Sequence, residues 1–455
     1  MSKTRGEDRP GQRRRNPAGI TTFTASAIAV ADMVGIGVFT SLGFQLIDIT
    51  SAFSIIVLWV VGGVVALCGA LSYGELAAAL PRSGGEYNFL SRIYRPAIGF
   101  MAGWLSVTVG FAAPIALAAI AFGAYFDGVA PGIASPLWLG IGVVWIIGLV
   151  HLTGVRHSSR FQNISTIAKV VLIVAFIVAG FATGNPEPIS FAPSSIDLHH
   201  ITSAPFAIGL VFVMYSYSGW NAQTYIMGEI HDPKCTVPRS LFIATFIVLL
   251  LYLGLNIVFL YTTPMEKMAG QIEVALVAGK HIFGENGGRI VGALICAGLV
   301  STISAMTWIG PRVTKVMGED IPLFAIFARE NKNGVPAFAI GLQLIIVTAL
   351  ILTQSFEHVL NYIQFAITLS SFLTVLGVMV LRRTQPELER PYRTWGYPVT
   401  PILFLVVTAF MMGYLILERP VQSFAGLATL VAGLAVYFIS SKHNPETSQG
   451  ATPGE

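Results

Sequence analysis

Charge is scarce in this chain. Only 11% of its 455 residues are Asp, Glu, Lys or Arg, against about 25% in soluble proteins, so a soluble globular domain is excluded as the bulk of the molecule. Cysteine is scarcer still. Cys68 and Cys296 lie in apolar runs and Cys235 in a short polar segment, which excludes a disulfide-stapled fold. No Cys/His spacing of the kind that holds zinc occurs, and no metal or other cofactor is expected. Long polar stretches are missing as well. The basic first 19 residues lack a following short apolar core with a small-residue cleavage site, so no cleaved signal is expected.

What the chain has in quantity is apolar sequence: 54% of residues, with a mean hydropathy of +0.71. A membrane-crossing helix needs about 20 such residues. Twelve runs qualify: 20–46, 52–79, 96–126, 136–153, 162–183, 204–228, 239–262, 287–311, 335–353, 357–381, 397–417 and 420–441. With both termini placed in the cytoplasm, 22 Lys and Arg fall on inner segments, four on outer loops, and Lys169 inside a run. That asymmetry obeys the positive-inside rule and predicts a multi-pass protein of the cell (plasma) membrane. The basic residues are scattered over short loops and tails, which speaks against nucleic acid as a partner. His199 and His200 read as ordinary residues of the outer loop 184–202. Residues 271–283 have helical periodicity and suit a short re-entrant or surface helix. The tail 442–455 reads as disordered.

Two apolar runs are interrupted near their middles. The first carries Gly35 and Gly37, each costing roughly 1 kcal/mol relative to alanine inside a helix; the second carries Ser216–Tyr217–Ser218–Gly219. Backbone loosened at bilayer depth must face protein or water, and paired interrupted spans in the two halves of a chain point to a transporter's substrate site. One interruption lies in run 1 and the other in run 6, each followed by four more runs. This placement predicts a five-helix repeat over 20–183 and a second, inverted one over 203–381, with 382–441 holding the last two spans outside the repeat.

At these residues the chain resembles a known family. GIGVF at 35–39 is similar to the small-residue element of the amino acid–polyamine–organocation superfamily. ALSYGELAAALPRSGGEYNFL at 70–90, YSYSGWN at 215–221 and GEIHDPKCTVPRS at 228–240 resemble its L-type amino acid transporter branch. The resemblance implies an all-α membrane protein of the leucine-transporter fold, with twelve transmembrane helices, helices 1 and 6 broken, and amino acid transport by alternating access.

A free amino acid brings an α-carboxylate and an α-ammonium. Backbone N–H groups at Ile36, Gly37 and Val38, at the positive start of a half-helix, suit the carboxylate. Carbonyls around Gly35, namely those of Met33 and Val34, and those of the stretch Tyr215–Ser218 suit the ammonium. The expected substrate-binding set is therefore Val34, Gly35, Ile36, Gly37, Val38, Met214, Tyr215, Ser216, Ser218 and Gly219. The competing reading makes Gly35 and Gly37 a helix-packing contact. By resemblance Tyr215 stands where an aromatic gate closes over the substrate, and Ser218 and Gly219 where side-chain size sets substrate size. Tyr217 and Trp220 suit gate and core equally.

Lys169 costs at least about 2.5 kcal/mol inside a span. The resemblance implies a coupling role, its ammonium replacing the sodium ion of sodium-coupled relatives; snorkelling to the interface is the rival. Asp32 has three readings: an ion pair with Lys169, which is favoured; a receptor for a cationic side chain; or a protonated structural donor. Ser301, Thr302 and Ser304 are candidates to stand beside Lys169, or to bond only their own helix. Glu75 and Glu86 are expected in inner-gate ion pairs with Arg82, Arg92 and Arg239, with Glu229 and Asp232 nearby.

The function expected is a secondary carrier of neutral amino acids, by proton symport or by exchange. A cationic amino acid or polyamine exchanger using Asp32 is the alternative, and a non-transporting amino acid sensor is the alternative from another class. No nucleophile–base pair supports an enzyme. Residues 127–135 hold no cysteine, so no disulfide-linked partner subunit is expected.

Overall fold

The computed structural model describes residues 19–182, 186–271, 273–353 and 356–442. The basic N-terminal tail (save Gly19) and the C-terminal tail after Lys442 lie outside them. The described chain is helical throughout, apart from turns and one isolated parallel bridge between Ile20 and Ile230.

In chain order the helices are α1 (Thr22–Met33), α2 (Ile36–Asp48), α3 (Ala52–Ala79), α4 (Glu86–Ile93), α5 (Pro96–Leu105) and α6 (Ala112–Val129). Next come α7 (Pro136–Leu152), α8 (Val155–Ala182), α9 (Ser195–Ile201), α10 (Ala204–Ser216) and α11 (Pro233–Thr262). The last are α12 (Met265–Met268), α13 (Val274–Asp320), α14 (Ala337–Leu352), α15 (Phe356–Thr384), α16 (Val399–Glu418) and α17 (Pro420–Lys442). Among the described residues eight helical stretches are long and apolar enough to cross a membrane, counting α1 with α2 and α5 with α6 as single stretches. They coincide with eight of the twelve expected runs. The other four fall on shorter apolar helices: Pro136–Leu152, Thr166–Ala182, Ala204–Ser216 and Ala337–Leu352.

Burial sorts these helices. The most apolar part of the α1–α2 stretch is 94% buried, whereas the corresponding parts of α16 and α17 are 28% and 22% buried. The innermost stretch is the one that carries the first interruption, and α1 packs against α8, α11 and α13. The α5–α6 stretch is interrupted by a π turn at Ser106–Gly110, where Phe111 N–H reaches Ser106 C=O (3.4 Å). Pro114 explains it: proline has no N–H for Gly110 C=O, and its ring crowds that carbonyl. Residues 271–283 give no separate element. The helix that begins at Val274 bends at Gly284 (φ 73°) and runs on to Asp320.

Three departures from expectation concern loops and ends. The run 204–228 is helical only to Ser216 and continues in 3-10 turns at Ala222–Tyr225 and Met227–Glu229. Part of the inner loop after α3 forms α4. His199 and His200 lie in a short helix, α9, rather than in a loop.

That helix is anchored by Asp197. Its carboxylate accepts from the hydroxyls of Ser51 (2.5 Å) and Ser54 (2.6 Å) at the start of α3, and from Ser194. These bonds favour the ionised form and hold the carboxyl well below the usual carboxylate range. A depressed native value stabilises the fold above the unfolded value near 4, and the gain is lost as pH falls through the native value. Asp197→Asn should therefore lower the melting temperature in detergent at pH 7, with the gap to wild type closing as the pH drops below about 4. Equal melting temperatures at pH 7 would remove this anchor.

Candidate functional site

At the first interruption the chain makes one tight turn. Val34 (φ −75°, ψ 84°) is the centre of an inverse γ-turn, closed by Gly35 N–H to Met33 C=O (2.8 Å). Gly35 is extended and α2 starts afresh at Ile36. The glycines serve close approach. A methyl carbon placed on Gly35 would meet Thr302 of α13 at 3.0 Å, and one on Gly37 would meet Ser216 Oγ at 2.7 Å and its Cα at 2.8 Å. The helix-packing reading of this pair is thus correct for the contacts the glycines make. The same geometry leaves Ile36, Gly37 and Val38 in the first turn of α2, where N–H groups have no acceptor in their own helix.

Breaking α1 also frees its last carbonyls. Lys169 Nζ donates to Ala31 C=O (3.1 Å), to Val34 C=O and to Thr302 Oγ1 (2.8 Å). Thr302 in turn donates to Val34 C=O (2.7 Å). Met33 C=O accepts from the hydroxyl of Tyr252 on α11 (2.7 Å). Two expectations are corrected here. The carbonyls of Met33 and Val34 already have donors, so they are not free for an ammonium. Lys169 turns to these carbonyls and forms no ion pair with Asp32. It also does not snorkel: its side chain is buried beside the break. Ser304 does not join it either, because its hydroxyl is within 2.9 Å of His151 Nε2 on α7. Ser301 is buried on the same helix.

The second interruption lies alongside. Ser218 N–H bonds back to Tyr215 C=O (2.9 Å), and Gly219 adopts φ 98°, a region that favours glycine. A side chain on Gly219 would run into the Asp32 carboxylate. Tyr252 joins the two breaks, its hydroxyl lying 2.7 Å from Met33 C=O and 2.7 Å from Ser216 C=O. The carbonyls of Asp32 and Met214 take no intrachain hydrogen bond among the described residues. Ser216 Oγ is engaged with Ser41 (2.9 Å). Tyr217 is core, packed against Trp59 and Tyr252. Trp220 packs on Tyr73 and also faces the cavity described next.

Two cavities meet these breaks. A small one, about 10 Å³, is bordered by Asp32, Gly35, Ile36, Gly37, Tyr215, Ser216 and Ser218, with Thr302 and Met306 from α13. A larger one, about 100 Å³, is bordered by Asp32, Met214, Ser218, Gly219 and Trp220, by Ser106 and Phe111 at the π turn, and by Gln364 and Thr368 of α15. Val34 and Val38 border neither; Val34 enters through its carbonyl, and the Val38 side chain is fully buried. Asp32 borders both cavities, is 2% exposed, and its Oδ1 has no hydrogen-bond partner. A buried carboxylate without a partner is costly unless a cation or a proton reaches it.

The family model described as amino acid permease matches residues 20–439. The chain belongs to the amino acid permease family. The human b(0,+)-type amino acid transporter 1 is 27% identical to this permease over 426 residues, covering 91% of this chain and 86% of the relative. The mouse Asc-type amino acid transporter 1 is 25% identical, covering 92% and 80%, and the human large neutral amino acids transporter small subunit 2 is 25% identical, covering 94% and 81%. These relatives are transporters rather than enzymes. The permease is accordingly an integral multi-pass membrane protein of amino acid transport.

Sequence reasoning misplaced one residue of the permease's cavity and missed another at its break. Glu86, expected in an inner ion pair, borders the larger cavity instead, and its carboxylate accepts from Tyr73, Ser370, Ser371 (2.9 Å) and Asn221 (3.5 Å). The ion pairs that do form on this side are Glu75 with Arg382 (2.6 Å) and Arg390 (3.6 Å), Arg82 with Asp320, and Glu229 with Arg312 (2.8 Å). Arg92 and Arg239 enter none of them, nor does Asp232. Tyr252 was missed because a single tyrosine in an apolar helix gives no signal of the two carbonyls it will meet.

Proposed function

We propose that the permease is a secondary carrier that moves α-amino acids by alternating access, by proton symport or by exchange, through twelve spans. The four shorter apolar helices would complete the twelve, with five-helix repeats over 20–183 and 203–381 in opposite orientation and both termini in the cytoplasm of a cell whose plasma membrane holds the protein. The α-carboxylate would sit on the N–H groups of Ile36, Gly37 and Val38. The α-ammonium would sit between the Asp32 and Met214 carbonyls and the Asp32 carboxylate, with Tyr215 and Ser218 closing the small cavity. Lys169 would act in coupling: whatever moves it from the α1 carbonyls frees the end of α1, the innermost helix. No disulfide-linked partner is proposed.

The single observation that carries this reading is the unpartnered Asp32 carboxylate at the meeting point of both breaks. It favours Asp32 as the receptor of a cargo cation over its pairing with Lys169. Neutral cargo was expected on the ground that Asp32 is the pocket's one acid; Glu86 on the same cavity removes that ground.

Reconstitution into liposomes tests the proposal. Labelled amino acids should show saturable uptake that needs either internal amino acid or an imposed pH gradient. Binding of amino acids with no uptake in either mode would favour the sensor reading, and neither binding nor uptake would end the proposal.

A further inference from the structure

The larger cavity is bordered by two carboxylates, Asp32 and Glu86, and by no lysine, arginine or histidine. Asp32 also borders the small cavity at the breaks, while Glu86 borders the larger one alone. The two acids are therefore not duplicates. One stands where the α-groups of a cargo would be held, and the other stands on the part of the space left for its side chain.

Glu86 is 5% exposed and starts α4. Every donor it meets is neutral: the hydroxyls of Tyr73, Ser370 and Ser371 and the amide of Asn221. The basic residues of the inner face are committed elsewhere, Arg82 to Asp320 and Arg382 and Arg390 to Glu75. Lys169 is committed to the α1 carbonyls. No protein cation is left to balance either acid of the cavity among the described residues. Hydroxyl dipoles orient Glu86, and Tyr73 is itself fixed edge-on between Phe89 and Trp220. An oriented, desolvated carboxylate facing a cavity is more favourable to a cation than to an apolar group, which would leave it buried and unbalanced.

We propose that Glu86 forms the side-chain subsite of the cavity and that the cargo is an α-amino acid with a cationic side chain, an ammonium or a guanidinium at its end. This rests on the carrier reading above and names its substrate class. Asp32 meets the α-ammonium and Glu86 meets the distal cation, while Phe111, Trp220 and Met306 supply apolar walls for the methylenes between them. Because a site built around polar groups rejects an analogue that leaves them unmatched, norleucine, which has the lysine skeleton without its terminal ammonium, is the discriminating probe.

In liposomes, lysine, ornithine or arginine should be taken up with a kcat/KM about tenfold or more above that of norleucine. Glu86→Gln should collapse that ratio about tenfold or more, mainly through the KM for the basic amino acid. In detergent, lysine should raise the melting temperature of the wild-type protein and norleucine should not, a measurement that stands even where Glu86→Gln fails to fold. Norleucine carried as well as lysine by the wild type, or a ratio unchanged in Glu86→Gln, would overturn the subsite while leaving the carrier reading intact. Absence of uptake of every amino acid, with no melting shift, would sink the carrier reading itself.

Discussion

Lys169→Met removes amino acid uptake. Methionine keeps much of the volume of the buried side chain, but Ala31 C=O, Val34 C=O and Thr302 Oγ1 lose the ammonium that now lies against them. An unsatisfied buried polar group costs about 1–3 kcal/mol. Thr302 keeps its own bond to Val34 C=O, so part of the network survives. A net loss near 3 kcal/mol in the arrangement of the break corresponds to roughly a hundredfold in rate. The measurement is initial uptake in liposomes at matched protein content, together with the melting temperature in detergent. Uptake within about threefold of wild type would mean that the first break holds its shape without Lys169.

Gly37→Ala has the second large effect. The new methyl would stand 2.7 Å from Ser216 Oγ and 2.8 Å from its Cα, on the end of α10. The hydroxyl can rotate away, at the expense of its bond to Ser41, but the Cα cannot. The two breaks must then separate, and overpacking of this kind costs about 1–3 kcal/mol. The separation falls on the N–H groups proposed to hold the α-carboxylate, so uptake should drop about tenfold or more, through KM as well as maximal rate. Gly341→Ala is the control, since nothing lies within 4 Å of the carbon it would add on α14. Equal uptake by Gly37→Ala and Gly341→Ala would show that the close approach at Ser216 is dispensable.

Both sites were visible in the sequence because each violates the chemistry of its surroundings. Gly35 and Gly37 are poor helix formers deep in an apolar run, and Lys169 is a charge where charge is expensive. The structure gives each a neighbour: Thr302 and Ser216 for the glycines, the α1 carbonyls for the lysine. What the sequence could not convey was partner choice. Asp32 and Lys169 have opposite charges and lie within reach by depth, which made an ion pair the natural reading, yet carbonyls released by the break compete for the same ammonium and hold it. Glu86 follows three small residues and precedes an arginine-bearing segment, so it read as a gate acid. Its exclusion from the ion pairs depends on Ser370 and Ser371, nearly 300 residues away along the chain. The end of α10 was misjudged for a simpler reason. Residues 217–228 are apolar enough for a span, and hydropathy does not distinguish an α-turn from the 3-10 turns that follow Gly219.

A tyrosine hydroxyl owns a single hydrogen, yet Tyr252 has two equal claimants, one on each unwound segment, both at 2.7 Å. Only one can be served fully at any instant. Drawing either segment away would cede the proton to the other, so the loss on one side is partly recovered on the other. The two halves of the chain are thereby tied to a common pivot whose hold passes between them.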